Sequence, residues 1–251
     1  MVFHTFGDKN NSAVVLIHGV LTPWQIWERQ IEFFKDKYFV VVPALDGHIE
    51  EQASEYLSVD DEAEKIENYI NKELGGSAFA VCGLSMGGVI ANRLFERNNI
   101  KLRKLVLDGA PLVKISALSN KVMTVSYKSI IHKSKNRDAK TLESFKRDFL
   151  PERFLTSYLK FADTMSDPTI ENMIRSVSET TPLPRENPDN TEIMFLHGTK
   201  GNEVYSKKAA RMLKQFYPEL DIRCFDGFKH AEFAVYQPDK WLDTVDPFLT
   251  K

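Results

Sequence analysis

The sequence has very little cysteine, no long apolar run and no recognisable leader, and each absence excludes a class of protein. Two cysteines in 251 residues, Cys82 and Cys224, cannot build a disulfide framework, so we expect a reducing compartment such as the cytoplasm. The longest apolar runs, 13–17 and 38–45, are much shorter than the roughly 20 residues that span a bilayer. The opening residues MVFHTFGDKN lack the basic start and apolar stretch of a secretory signal.

The sequence also lacks a large net charge and any metal-binding motif. The 33 basic and 35 acidic residues leave a formal charge of −2, which gives no electrostatic reason to expect a nucleic-acid partner. No histidine, cysteine and aspartate cluster has ligand spacing, and the H-E-x-x-H and G-x-x-x-x-G-K-[ST] motifs are missing. We therefore expect neither a metal nor a cofactor. With 43% hydrophobic residues, the chain has the composition of a soluble globular protein, and we expect an enzyme that acts on a small molecule.

Strand and helix signals alternate through most of the chain. Short apolar, β-branched runs predict strands at 13–18, 38–42, 78–82, 104–107, 193–196 and 221–225. Apolar residues at helical spacing predict helices at 23–37, within 50–73, and at 86–97, 207–216 and 241–249. Alternating strands and helices, with strands that are apolar throughout, predict an α/β fold with a mostly parallel sheet covered by helices on both faces.

Residues 112–184 interrupt this alternation. They carry helical stripes but no convincing strand, and Pro182, Pro184 and Pro188 make a rigid exit from the segment. We therefore predict a core formed by 1–111 and 185–251, with 112–184 inserted as a helical cap. The aromatic residues of the cap either line an apolar pocket or pack its helices together: Phe145, Phe149, Phe154, Tyr158 and Phe161. Residues 121–153 contain an excess of basic residues, nine Lys or Arg against four Asp or Glu. These residues either form a solvated face or attract an anionic substrate.

A nucleophile motif follows the third of these predicted strands. Residues 83–87, Gly-Leu-Ser-Met-Gly, fit G-x-S-x-G between a strand and a helix, which is the setting of a nucleophile elbow. Glycines on both sides of Ser85 allow a turn too sharp for larger side chains, and the turn projects the hydroxyl above the sheet. The turn after the first predicted strand, at 18–20, can place the backbone N–H of Val20 beside that of Met86. Together these amides would bind a developing oxyanion.

These motifs resemble those of the α/β-hydrolase superfamily. The resemblance rests on His18-Gly19-Val20, Asp46-Gly47-His48 and the GLSMGG elbow, each after a predicted strand, and on the later segments FLHGTKGNEV and FKHAEF. It extends over nearly the whole chain, and it implies an acid and a base in those two later segments. It also implies that 112–184 occupy the place where such enzymes insert a cap.

The base and the acid differ in how clearly the sequence identifies them. His230 follows the last predicted strand, in the order serine, acid, histidine that this fold uses, whereas His18 is expected to be a hydrogen-bonded structural residue. The resemblance places the acid three residues after Gly198, but that residue is Gly201. Three possibilities remain open: Glu203 serves after a small shift of the loop, Asp108 at the end of an earlier strand serves instead, or there is no acid.

The sequence thus predicts a serine hydrolase that cleaves a carboxylic ester, thioester or small amide. Ser85 would be the nucleophile, His230 the base and Glu203 the preferred acid. A lyase or C–C bond-cleaving enzyme of the same fold is one alternative, and a catalytically silent binding protein is another. The sequence does not indicate the substrate or the oligomeric state.

Overall fold

A computed structural model describes residues 1–187 and 189–251, which leaves Pro188 of the predicted proline-rich exit outside the described residues. Seven strands form one sheet in the order β1-β3-β2-β4-β5-β6-β7. They are β1 (Val2–Phe6), β2 (Ala13–Ile17), β3 (Phe39–Ala44), β4 (Ser77–Leu84), β5 (Lys101–Asp108), β6 (Glu192–Gly198) and β7 (Asp221–Phe225). All neighbours are parallel except β1, which runs antiparallel to β3, so the predicted mostly parallel α/β sheet is confirmed.

Nine α-helices are assigned in the described residues. They are α1 (Glu28–Phe34), α2 (Val59–Glu73), α3 (Met86–Arg97), α4 (Ala117–Lys135), α5 (Ala139–Asp148), α6 (Leu155–Ala162), α7 (Asp167–Glu179), α8 (Glu203–Phe216) and α9 (Pro238–Leu249). Shorter turns of 3-10 helix occur at Trp24–Trp27 and Glu152–Phe154, and a π-helical turn occurs at Glu232–Tyr236. None of the helices in the described chain is long and apolar enough to cross a membrane.

The N-terminal region differs from expectation in two places. Strand β1 was not predicted, because it is an edge strand whose residues are partly exposed and show no continuous apolar run. The single helix predicted at 23–37 is a 3-10 turn followed by the shorter α1. The ring of Trp24 stacks on His4 of β1, with 4.1 Å between ring centroids, instead of continuing the buried stripe of α1.

The segment between β5 and β6 is helical, as its sequence predicts. Helices α4, α5, α6 and α7 lie there, and no strand occurs in the described part of 112–184. Helix α4 packs against α6 and α7, and α7 also contacts α3 of the sheet layer. We propose that this helical segment is a cap, with the boundaries predicted from the sequence.

The centre of the sheet explains the location of the elbow. Strands β2 and β3 are buried at every position, so helices cover both of their faces. The chain turns from β4 into α3 at Ser85, which has a φ of 54° and a ψ of −116°. A Cβ on Gly87 would lie 2.2 Å from the carbonyl oxygen of Ile17, and one on Gly83 would lie 2.2 Å from the carbonyl oxygen of Gly87. Only glycine therefore allows α3 to approach the sheet this closely.

We expect Gly87→Ala to lower the free energy of unfolding by about 3 kcal/mol, because its Cβ would meet backbone that cannot rotate away. Gly75→Ala is the matched control. Gly75 has a φ of +62°, and a Cβ added there would meet no atom within 4 Å. Alanine at this position therefore costs only the strain of a left-handed backbone conformation, about 1 kcal/mol. Urea unfolding of both variants measures the difference. Equal losses would show that close approach at the elbow does not limit stability.

Candidate active site

Ser85 lies where β4 ends and α3 begins, and its side chain contacts one imidazole. The Oγ of Ser85 is 2.8 Å from Nε2 of His230, a residue of the loop between β7 and the π-helical turn. This distance is within hydrogen-bond reach, so the imidazole is placed to accept the hydroxyl proton. The positive φ of Ser85 is a strained conformation of the kind that clusters at functional sites.

The other nitrogen of the same imidazole contacts a buried carboxylate. His230 Nδ1 is hydrogen-bonded to Oε1 of Glu203, the first residue of α8, and Glu203 Oε2 accepts the backbone N–H of Gly198 at 2.8 Å. Burial alone would raise the pKa of Glu203. The hydrogen bond and charge of His230, together with the Gly198 N–H, hold that pKa below its usual value instead. Glu203 is therefore ionised at neutral pH.

The loop after β6 explains how an acid at this position reaches the histidine. Gly201, where the resemblance would place an aspartate, has a φ of +65°, and a Cβ added there would meet no atom within 4 Å. The chain turns there and enters α8 two residues later, and the longer side chain of Glu203 extends back to Gly198 and His230. The structure thus brings together Ser85, His230 and Glu203, three of the predicted site residues.

Asp108, the alternative acid, lies in a different environment. One of its oxygens accepts the indole N–H of Trp241 at 3.1 Å, and no hydrogen bond to His230 is found among the described residues. Burial and the nearby charge of Glu203 raise the pKa of Asp108 well above its usual value. The neutral form of Asp108, at the end of β5, is therefore favoured relative to an exposed aspartate.

The turn at 19–22 supplies the first of the two predicted oxyanion donors. Its Gly19 lies so close to the elbow that a Cβ there would be 3.2 Å from Cβ of Ser85. Thr22 Oγ1 closes the turn by accepting the N–H of Gly19 at 3.0 Å and donating to its carbonyl at 2.9 Å. Within the described chain, no protein acceptor is found for the N–H groups of Val20 and Met86.

A cavity of about 800 Å³ opens above Ser85 and His230. Helices α4 and α7 and the loop before α4 contribute most of its apolar wall: Pro111, Ile115, Leu118, Val122, Met123, Tyr127, Ile174 and Val177. Of the five cap aromatics singled out in the sequence, only Phe149 lines the cavity. The other four are buried, and the rings of Phe145, Tyr158 and Phe161 pack in a continuous series. Packing is therefore the main role of these aromatic residues.

The basic excess of the cap is largely balanced by nearby carboxylates. Lys128 pairs with Asp167 and Glu171 of α7, and Arg137 pairs with Asp163. Two other lysines, Lys200 and Lys229, line the cavity from the core side. The structure thus favours the interpretation of 121–153 as a solvated, ion-paired face.

Three carboxylates outside the cavity lie close enough together to hold a cation: Asp46, Asp61 and Glu62. The ammonium group of Lys65 bridges them, at 2.5 Å from oxygens of Asp46 and Asp61 and 3.2 Å from Glu62. Burial and the charge of Asp46 raise the pKa of Glu62 to about 7. The lysine therefore already supplies the positive charge that this cluster requires.

Comparison with protein families supports the interpretation of the fold. The family model described as alpha/beta hydrolase fold matches residues 12–208. The chain belongs to the α/β-hydrolase family. A search among curated proteins found no match.

Solved structures resemble this α/β hydrolase along its whole length, although at low identity. A structure described as a putative alpha/beta hydrolase family protein from Desulfitobacterium hafniense is 21% identical, with a TM-score of 0.78 and coverage of 99% of this chain and 100% of that one. A carboxylesterase structure from Nitrososphaera gargenis is 15% identical, with a TM-score of 0.76 and coverage of 99% and 93%. A marine microorganism esterase is 18% identical, with a TM-score of 0.76 and coverage of 98% of each chain. At these identities the likeness shows the fold alone.

Sequence reasoning missed several residues that shape the site of this α/β hydrolase. Thr22 closes the turn at 19–22, and Ser206 Oγ donates to the carbonyl of Gly109 beside the Glu203 carboxylate. Tyr127 and Tyr205 add phenol rings to the cavity wall. No motif or periodicity marks these positions, because their roles depend on contacts between distant parts of the chain.

We expect Asp108→Asn to gain stability relative to the wild type as the pH rises above about 4. The pKa of the folded carboxyl is raised well above its usual value, so the unfolded chain ionises first and the wild type loses stability as the pH rises from the unfolded towards the folded pKa. Asparagine cannot ionise, and its amide oxygen can still accept the Trp241 N–H. Urea unfolding at several pH values tests this, and a constant difference between the two proteins would contradict a raised pKa of Asp108.

Proposed function

We propose that this protein is a serine hydrolase that cleaves carboxylic esters through an acyl-enzyme on Ser85. The observation that carries the proposal is the hydrogen-bonded series from Ser85 Oγ through both nitrogens of His230 to Glu203, at the base of an apolar cavity. A nucleophile, a base in contact with it and a carboxylate that orients the base are the groups that acyl transfer requires.

In the proposed reaction, Ser85 Oγ attacks the ester carbonyl carbon while His230 Nε2 accepts the hydroxyl proton. The N–H groups of Val20 and Met86 bind the negative oxygen of the tetrahedral intermediate. The carbonyl reforms as the C–O bond to the alcohol breaks, and the imidazolium gives its proton to the departing alcohol. Water then attacks the acyl-enzyme, with His230 again accepting a proton, and the acid is released as Ser85 recovers its proton.

Glu203 acts on this reaction through the histidine. Its ionised carboxylate accepts the Nδ1–H of His230, which leaves Nε2 free to face Ser85. When Nε2 takes up the serine proton, the same carboxylate stabilises the imidazolium. The pKa of Glu203 lies below its usual value, so the carboxylate stays charged throughout the neutral range.

The walls of the cavity suggest which esters this site accepts. Aliphatic side chains of α4 and α7 surround the space above Ser85, so burying an apolar acyl or alcohol group there is favourable. Thioesters and small activated amides present the same carbonyl and fall within the proposed range of substrates.

Ser85→Ala should abolish hydrolysis of p-nitrophenyl butyrate and labelling by a fluorophosphonate probe, because both need the Ser85 hydroxyl. Ser119→Ala is the matched control: Ser119 also lines the cavity, but it bonds to Ser116 of the same helix end. We expect that variant to keep both activities. A wild type that turns over no ester and resists the probe would favour a silent binding protein. A wild type that is labelled but cleaves only C–C bonds would favour the lyase alternative.

Glu203→Gln should lower kcat/KM by about 10⁴-fold, because glutamine can present its N–H to His230 and so favour the wrong tautomer. Asp108→Asn is the control of matched chemistry and should stay within about tenfold of the wild type, since that side chain contacts Trp241 and not His230. The rates are compared at equal active-site concentration, determined by probe titration. The reverse pattern would identify Asp108 as the acid.

A further inference from the structure

The turns that follow β2 and β3 lie side by side, and each contributes one buried histidine. His18 follows the last residue of β2, and His48 lies in the turn after β3. The two imidazole rings meet edge to face, with 4.8 Å between their centroids. Neither ring belongs to the hydrogen-bonded series at Ser85, so the proposed reaction gives them no direct chemical role.

Each ring accepts a backbone hydrogen bond from the other histidine's turn. Nε2 of His18 accepts the N–H of Leu45 at 3.1 Å, and Nε2 of His48 accepts the N–H of Leu21 at 3.0 Å. The two bonds cross between the turns in opposite directions. The rings therefore link the turns twice.

The remaining ring nitrogens contact carbonyls of their own turns. Nδ1 of His18 is 3.0 Å from the carbonyl oxygen of Gly19, and Nδ1 of His48 is 3.3 Å from that of Asp46. Since Nε2 accepts a proton in both rings, Nδ1 must carry one to satisfy these carbonyls. Both histidines are thereby fixed as the neutral Nδ1–H tautomer.

The link holds the turn that carries a proposed oxyanion donor. Leu21 has a φ of 54°, a conformation that leucine rarely adopts, and its N–H is the group that His48 accepts. Val20, which carries the proposed donor, is the preceding residue of the same turn. We propose that His18 and His48 form a clasp, a pair of rings that links the two turns and positions the turn at 19–22 for catalysis. This inference rests on the proposed function of Ser85.

The clasp requires both rings to be neutral. Protonation of either Nε2 would turn this acceptor into a donor, and its N–H would then face the backbone N–H that it now accepts. Burial lowers the pKa of His18 to about 4. Burial, and the repulsion that a charge on the neighbouring His18 ring would add, lower the pKa of His48. From β1, His4 lowers the pKa of His18 in the same way, and burial lowers the pKa of His4 itself, whereas the ring facing His48 from α6 is the uncharged Phe161.

Nitrogen NMR of the histidine rings tests the clasp without any need for activity. At pH 6 we expect His18 and His48 to show protonated Nδ1 and unprotonated Nε2, with single-histidine variants used for assignment. The Nε2–H tautomer, or an imidazolium at that pH, in either ring would overturn the clasp. If the wild type hydrolyses no ester, the proposed function fails, but this measurement still decides whether the clasp exists.

Kinetics of His48 variants test its positioning role. His48→Leu removes the acceptor of the Leu21 N–H and should lower kcat by about 10²-fold, the cost of misplacing one oxyanion donor, with KM changed by less than about threefold. His48→Gln can offer an amide oxygen to the same N–H and should recover kcat to within about tenfold of the wild type. His132→Gln, at an exposed histidine of α4 paired with Asp167, is the control. Wild-type kcat in a folded His48→Leu protein would overturn the proposal.

Discussion

The site depends on the close approach of α3 to the end of β2. Gly87 of the helix lies against the carbonyl oxygen of Ile17, at a distance that leaves no room for a Cβ. This contact brings the end of β2, and the turn that follows it, next to the elbow. Ser85, Val20 and Met86 become neighbours for the same reason. The strained φ of Ser85 persists because a sheet that is buried throughout its centre holds both sides of the elbow in place.

Glu203 and Asp108 have pKa values shifted in opposite directions, and their surroundings explain why. Glu203 receives the Gly198 N–H and the imidazole, so its ionised form is stabilised despite burial. Asp108 receives only the Trp241 N–H among the described residues and feels the negative charge of Glu203, so its neutral form is favoured. Two buried carboxylates cannot both ionise at low cost when they lie close together. The ionised form is favoured for Glu203, the acid that contacts the histidine.

The sequence predicted the parts of this structure that depend on local pattern. Strands β2 and β3 were visible because burial at every position makes them apolar throughout, and the elbow was visible because its glycines are required by sterics. Strand β1 was missed because an edge strand needs no such pattern. The acid remained open between Glu203 and Asp108, since the reach of a side chain depends on the backbone turn at Gly201. The bond between Leu21 and His48 joins residues 27 apart, and no periodicity encodes it.

The buried titratable groups affect stability in opposite directions as the pH falls. His18 stays neutral in the fold down to about pH 4 but is protonated near pH 6.5 when unfolded, so it lowers stability across that interval. Glu62 has a folded pKa of about 7 against an ordinary value of 4.5, so it raises stability over nearly the same interval. Asp108 acts in the same direction as Glu62. Because these contributions oppose one another, we expect the free energy of unfolding to change less between about pH 4 and pH 6.5 than His18 or Glu62 alone would make it change.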